Sequence, residues 1–290
     1  FTGYIDRGMR LLGSPLHYYL NNTLGVGSLA GLEQRDPGAT PFSPINSVLF
    51  AQSHDDGVAT HRELHNAYNF LHEGIPSIYS DGYNQSGSPD YFPRVANAPY
   101  LGEFGDNKMP EVAYLHHQLA RGGTRPRWGD ADICAFERYD YRDSAVAADQ
   151  TVVLFAMNDN YSTQGDTAFL DGEGEAFPGG INKPPGANGD AQGLVVGFPP
   201  GTSLVQLAAS TPGYDRTWKK ALVRPATNNR ATATASGGAT VYVGSQTIPA
   251  GGGAIEILVP SGGYVAYGIQ WPEASRAALK DAITLRQNGT

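Results

Sequence analysis

Val48 to Gly57 reads VLFAQSHDDG and brings one histidine and two carboxylates together directly after an apolar run. Ser47–Gln52 has the make-up of a short buried strand, fed by Pro44 and ended by polar residues. In barrels and open α/β sheets the C-terminal end of such a strand faces the ligand cleft. His54, Asp55 and Asp56 therefore stand where chemistry is commonly done, and a histidine beside two acids is costly to place there without use. The trio suits hydrogen bonding to a polar ligand, stabilisation of positive charge, or metal ligation. A plainer use stays open at this point: Asp55 or Asp56 caps the next turn while His54 donates a hydrogen bond. A metal site of His54 with the two acids also stays open, although no other ligand triad has matching spacing.

Other polar clusters are weaker. Asp171-Gly172-Glu173-Gly174-Glu175 is an acidic, glycine-rich turn without the full spaced ligand set of a calcium loop, and reads as a solvated loop. Gly179 to Gly189 holds several glycines, but no Lys-Ser/Thr follows them, so it is not a phosphate loop. Cys134 is the one cysteine; it cannot form an internal disulfide and reads as a small buried hydrophobe. No metal site is expected.

The elements that must hold His54 to Asp56 follow a strand–helix alternation. Thr60 to Glu73 reads as a helix, with Thr60 and Glu63 at capping-box spacing, Gly74 closing it, and Leu64, Ala67, Tyr68 and Leu71 on one face. Ile75 to Tyr79 is a second strand, and Met109 to Ala120 a second helix with Pro110 in its first turn and Gly122-Gly123 after it. Near the start, Met9 to Leu12 reads as a strand and Leu16 to Leu24 as a helix. Alternation of this kind implies a parallel sheet with helices outside it. The loop from Asp81 to Lys108 is long and rich in Gly, Pro, Asn and Tyr, as functional lids and binding loops are.

The pattern changes near residue 125. Ile133–Tyr139, Gln150–Met157, Gly193–Phe198, Thr240–Val243, Ala254–Val259 and Tyr264–Gln270 are short β-rich segments separated by Gly, Pro and Asn turns. A helix pattern returns only at Pro272 to Leu285. This is the signature of an antiparallel β-sandwich. The expected organisation is α/β over residues 1–125 and all-β over residues 126–290.

Composition narrows the partner. The chain has 290 residues, 40% of them hydrophobic, and no window approaches the ~18 uninterrupted apolar residues of a membrane span. A formal net charge of −8 opposes nucleic acid and anionic membrane surfaces, so a neutral partner fits better. Abundant Gly, Asn, Ser, Thr and Tyr with 17% charged residues points to an extracellular or periplasmic bacterial protein.

Phe50-Ala51-Gln52-Ser53-His54-Asp55 resembles the motif that ends the seventh strand of the (β/α)8 barrel in the alpha-amylase family of glycoside hydrolases. Gly74-Ile75-Pro76-Ser77-Ile78-Tyr79-Ser80-Asp81-Gly82 resembles the eighth strand of that family, which begins Gly-x-Pro and runs into Ile-Tyr and a glycine-bearing turn. Two motifs in order, with one helix between them, are far more specific than either alone. Asp132 to Arg138 resembles the opening of the family's C-terminal β domain, and Phe1 to Leu24 its sixth strand and helix.

The resemblance implies a fold: the C-terminal part of a (β/α)8 TIM barrel, strands six to eight, followed by an antiparallel β-sandwich. It implies that Asp55 is the third carboxylate of the site, which holds the 2- and 3-hydroxyls of the sugar at the cleavage point and tightens on them as the ring flattens. His54 corresponds to the histidine binding the same sugar. Asp56 departs from the residues that commonly follow. Tyr83 and Phe92, in the long loop, are of the type that stacks on sugar faces, with loop packing as the plainer alternative.

A retaining glycosidase also needs a nucleophile and an acid/base about 5 Å apart. The family carries them on strands four and five, and no Arg-x-Asp after an apolar strand occurs among the 46 residues before Ser47. The expectation is a chain that is part of a longer α-glucan hydrolase or transglycosylase, inactive without the N-terminal half of the barrel. Its partners would be an α-glucan and that missing half. No cofactor is evident in this chain; the missing half leaves room for calcium. The alternative is a non-catalytic carbohydrate-binding or assembly protein that keeps an amylase-like remnant.

Overall fold

The computed structural model describes residues 11–12, 29, 32, 47–50, 62–77, 109–120, 122–129, 133–140, 150–159, 194–210, 220–223, 230–234, 240–246, 252–255, 257, 259 and 262–269. Strands β1 (Leu11–Leu12) and β2 (Ser47–Phe50) precede helix α1 (Arg62–Leu71), which leads to β3 (Ile75–Ser77). Helix α2 (Met109–Gln118) follows, then β4 (Gly123–Gly129), β5 (Ile133–Asp140) and β6 (Gln150–Asn158). The remaining strands are β7 (Leu194–Val196), β8 (Ser203–Ala209), β9 (Lys220–Leu222), β10 (Arg230–Thr234), β11 (Thr240–Gln246), β12 (Gly253–Ile255) and β13 (Gly263–Gly268). Neither described helix is long and apolar enough to cross a membrane.

β1, β2 and β3 form a parallel sheet in sequential order. Its register pairs Leu11 with Ser47, Val48 with Ile75 and Phe50 with Ser77. This is the parallel arrangement expected from strand–helix alternation; the described residues form a three-stranded parallel sheet, and a barrel is not shown among them. Leu49 and Phe50 are buried, as the apolar run requires. The expected helices at 16–24 and 272–285 lie outside the described residues.

Antiparallel strands dominate the rest, in a six-stranded sheet ordered β4-β5-β6-β13-β8-β9. β12 pairs with β7, and β10 with β11, each antiparallel. β4, which runs through residues 125 and 126, pairs with β5. The large sheet is buried on both faces, and period-2 alternation sorts its side chains into two cores. Cys134, Phe136, Val153, Phe155, Met157, Tyr264 and Ala266 face the helices, packing with Leu64, Ala67, Tyr68 and Leu71 of α1 and Val112 and Leu115 of α2. Ile133, Ala135, Leu154, Ala156, Val265 and Tyr267 face the other way, onto Leu194 and Val196 of β7, Ile255 of β12, and Ile257 and Val259. The result is three layers: helices, a large antiparallel sheet, and a small second sheet.

A strand buried on both faces must find partners for any charge it carries. β5 carries two. By alternation Glu137 follows Ala135 toward the small sheet, and Arg138 follows Phe136 toward the helices. The hydrogen bonds described below bear out both directions.

Candidate functional site

β2 and β3 are neighbours in parallel register, ending opposite one another at Phe50 and Ser77. The chain therefore leaves both strands at one edge of the sheet. His54, Asp55 and Asp56 follow Phe50 within six residues, and Tyr83 follows Ser77 by six. All four lie outside the described residues, as do Phe92, the proposed cap Thr60 and the acidic turn at 171–175. The turn that joins α1 to β3 lies at the other end of these strands, where β3 starts.

That turn begins at the C-terminus of α1. The helix ends through Gly74, which adopts φ of 128°, a backbone region that side chains resist. It also lies tight on β2: a Cβ placed there would fall 2.7 Å from Leu49 Cδ1. The turn joining α1 to β3 is thus seated directly on the strand that leads to His54.

Arg138 holds the same turn from the other side. Its Nη1 donates to Leu71 O at 3.0 Å, Nη2 to Gly122 O at 2.7 Å, and Nε to Gly123 O at 3.2 Å. A helix C-terminus leaves carbonyls without intrahelical partners and carries partial negative charge, so a buried guanidinium satisfies both needs at once. Glu73 adds a second tie, accepting a hydrogen bond from the Thr124 backbone N–H.

His72 fills the space between these groups. It is fully buried, stacks on Tyr68 with ring centroids 4.8 Å apart, and meets Phe136 edge-on at 5.1 Å. Burial and then the Arg138 charge push its pKa down to about 3, so it is neutral at ordinary pH. The unfolded chain binds this proton near pH 6.5 and the folded chain does not, so the linkage has a definite sign. Stability from this site is complete above about pH 6.5 and falls as pH drops toward 3. His116 of α2, whose Nδ1 lies 2.6 Å from Phe70 O, is also pushed down by burial and acts in the same direction. His72→Phe keeps the ring stack and removes the titration. Urea unfolding at pH 7 and pH 4 should show wild type losing about 3 kcal/mol more than the variant over that interval. Equal losses would mean that His72 is not held neutral.

The second charge of β5 builds a bridge between the sheets. Glu137 Oε2 accepts from Arg127 Nε at 2.6 Å, with Nη2 at the same distance, and Oε1 accepts from Gly197 N at 2.6 Å. Arg127 reaches this interior because β4 bulges between Pro126 and Trp128, which turns it inward beside Trp128. Gly197 admits the bridge by having no side chain: a Cβ there would collide with Thr151 Oγ1.

Reading the segments as elements did not single out Glu137, Arg138, His72 or Arg127. The available signal was adjacent opposite charges inside an otherwise apolar strand. Cys134 is fully buried, as a small hydrophobe would be. No grouping of three or more metal-ligating side chains occurs among the described residues.

No protein-family model matches the chain, and no curated protein matches it in sequence. Among solved structures it is similar to gamma-CGTase from the alkalophilic Bacillus clarkii, at 18% identity and a TM-score of 0.38. That alignment covers 78% of this chain and 27% of the other, so the chain spans about a quarter of that enzyme's length.

Proposed function

We propose that this chain is the C-terminal part of a retaining α-glucan glycosidase or transglycosylase, in which β1, β2 and β3 are the last strands of a catalytic barrel. One observation carries the reading. The motif at 50–55 begins on the last residue of β2, the motif at 74–82 begins at the start of β3, and these two strands are adjacent, parallel and separated in sequence by helix α1. A motif pair arising by chance has no reason to meet that condition.

In this reading Asp55 and His54 bind the sugar at the cleavage point, with Asp56 and Tyr83 as further contacts. Asp55 neither attacks nor transfers a proton. Hydrogen bonds donated by the ring hydroxyls to a carboxylate strengthen as the ring flattens toward an oxocarbenium ion, so their effect belongs to the transition state. The nucleophile and acid/base come from residues outside this chain, as does any calcium. An extracellular or periplasmic place of action is part of the same proposal and rests on composition.

The test is reducing-sugar release from soluble starch by the full polypeptide, with the anomer of the first product read by proton NMR. The α-anomer is expected, since a retaining mechanism preserves the configuration of an α-linked substrate. Release of the β-anomer, or neither hydrolysis of starch nor transfer of its glucosyl units to a maltooligosaccharide acceptor, would contradict the proposal.

A further inference from the structure

We propose that acid opens the seam between the two helices and the six-stranded sheet, with His72 as the group that senses it, while the core on the other face of the sheet stays closed. The inference is independent of the sugar site. His72 lies in the seam itself: Tyr68 of α1 stacks on its ring, and Phe136 of β5 meets it edge-on. Its Nδ1 lies 3.4 Å from Glu73 O, and its Nε2 is buried without a hydrogen-bond partner. With Nδ1 donating to that carbonyl, Nε2 carries the lone pair. A proton arriving there creates a buried N–H with nothing to accept it.

The surroundings give the new charge no counterion. Among the described residues, the charged and titratable groups around this seam are Arg138 of β5, Tyr68 and Glu73 at the end of α1, His65 two turns back, and His116 and His117 of α2. β6 and β13 bring Tyr264 and apolar side chains. The Glu73 carboxylate is taken up by the Thr124 backbone N–H. Protonated His72 is thus set against the Arg138 guanidinium, whose hydrogen bonds to Leu71 O, Gly122 O and Gly123 O tie both helix ends to the sheet. Both sides of the seam then carry positive charge, and opening it admits water to them. On the opposite face of β5 the buried charges differ in sign, Glu137 against Arg127, and every described histidine lies on or directly after a helix. The trigger therefore acts on one face of the sheet.

Cys134 reports the opening. It is the one cysteine of the chain, fully buried on the helix-facing side of β5, two residues before Phe136. The experiment treats the full polypeptide with 4,4′-dithiodipyridine, which stays reactive in acid, at pH 7 and pH 4 and 25 °C. Rates are divided by those of free cysteine at each pH, and the modified peptide is identified by mass spectrometry. Labelling of Cys134 should rise by ~10- to 100-fold at pH 4, the shift in opening that a proton bound only in the open form produces. In His72→Phe the rise should be at least about fivefold smaller; if that variant does not fold, His72→Gln takes its place with the same expectation. Amide hydrogen exchange at pH 4, corrected for intrinsic rates, should show α1 and α2 losing protection while β7 and β12 keep theirs.

Equal corrected labelling of wild type at the two pH values would overturn the proposal. So would an equal rise in the His72 variant, which would place the trigger elsewhere. Loss of protection in β7 and β12 together with the helices would do the same, because it marks general unfolding.

Discussion

Glu137→Ala is expected to destabilise the protein by about 3–5 kcal/mol, the cost of leaving a buried charge without its counterion. Arg127 is fully buried and held at 2.6 Å by Glu137 Oε2. With the carboxylate gone, its guanidinium stays in the interior between the two sheets, and Gly197 N loses its acceptor as well. Neither group can turn to solvent, because the β4 bulge fixes Arg127 inward and Gly197 follows directly on β7. Urea unfolding should show the midpoint falling with little change in m.

The pair's net worth is a separate question from the cost of breaking it. Arg127→Met with Glu137→Leu removes both charges and should recover most of the loss. The remainder should be about 1–3 kcal/mol for the unsatisfied Gly197 N–H. A single variant within about 1 kcal/mol of wild type would show that the bridge does not hold the layers together.

This bridge illustrates what was legible in the sequence and what was not. The apolar run at Ser47–Phe50, the helices at 62–71 and 109–118, and the apolar segments at 133–140, 150–158 and 263–268 are read from hydrophobic pattern and capping, because their own residues decide them. β4 was not: Gly123-Thr124-Arg125-Pro126-Arg127-Trp128-Gly129 carries a proline and two arginines. It is a strand because it lies at the end of the six-stranded order, where a proline is tolerated, and because Glu137 waits for Arg127 across the bulge. Partners distant in sequence decide that, and no local pattern records them.

β8 is similar. Its bulge against β13 places Leu207 and Ala208 on the same core, which breaks the alternation that marks a strand. β9 and β10 carry no strand pattern either: Lys220–Leu222 is very short, and Arg230–Thr234 has no large apolar residue. The candidate site divides along the same line. Its motifs are local and readable at His54 and Asp55. The contacts of the α1–β3 turn, made by Arg138 of β5 and by Glu73 and Gly74 of the turn itself, are visible only in three dimensions.

The central claim is that Asp55 binds sugar chiefly in the transition state, and the direct measurement is kcat and KM for Asp55→Asn on soluble starch in the full polypeptide. Asparagine keeps the shape and one acceptor oxygen but removes the charge that opposes the developing oxocarbenium ion. Losing a preorganised electrostatic contact of this kind typically costs ~10²- to 10³-fold in kcat. Because the contact is weaker in the ground state, KM should change far less. Folding should be unaffected, with unchanged circular dichroism and urea midpoint. A kcat reduced by that factor at nearly constant KM is the result the account predicts; full turnover by Asp55→Asn, or a loss confined to KM, would contradict it.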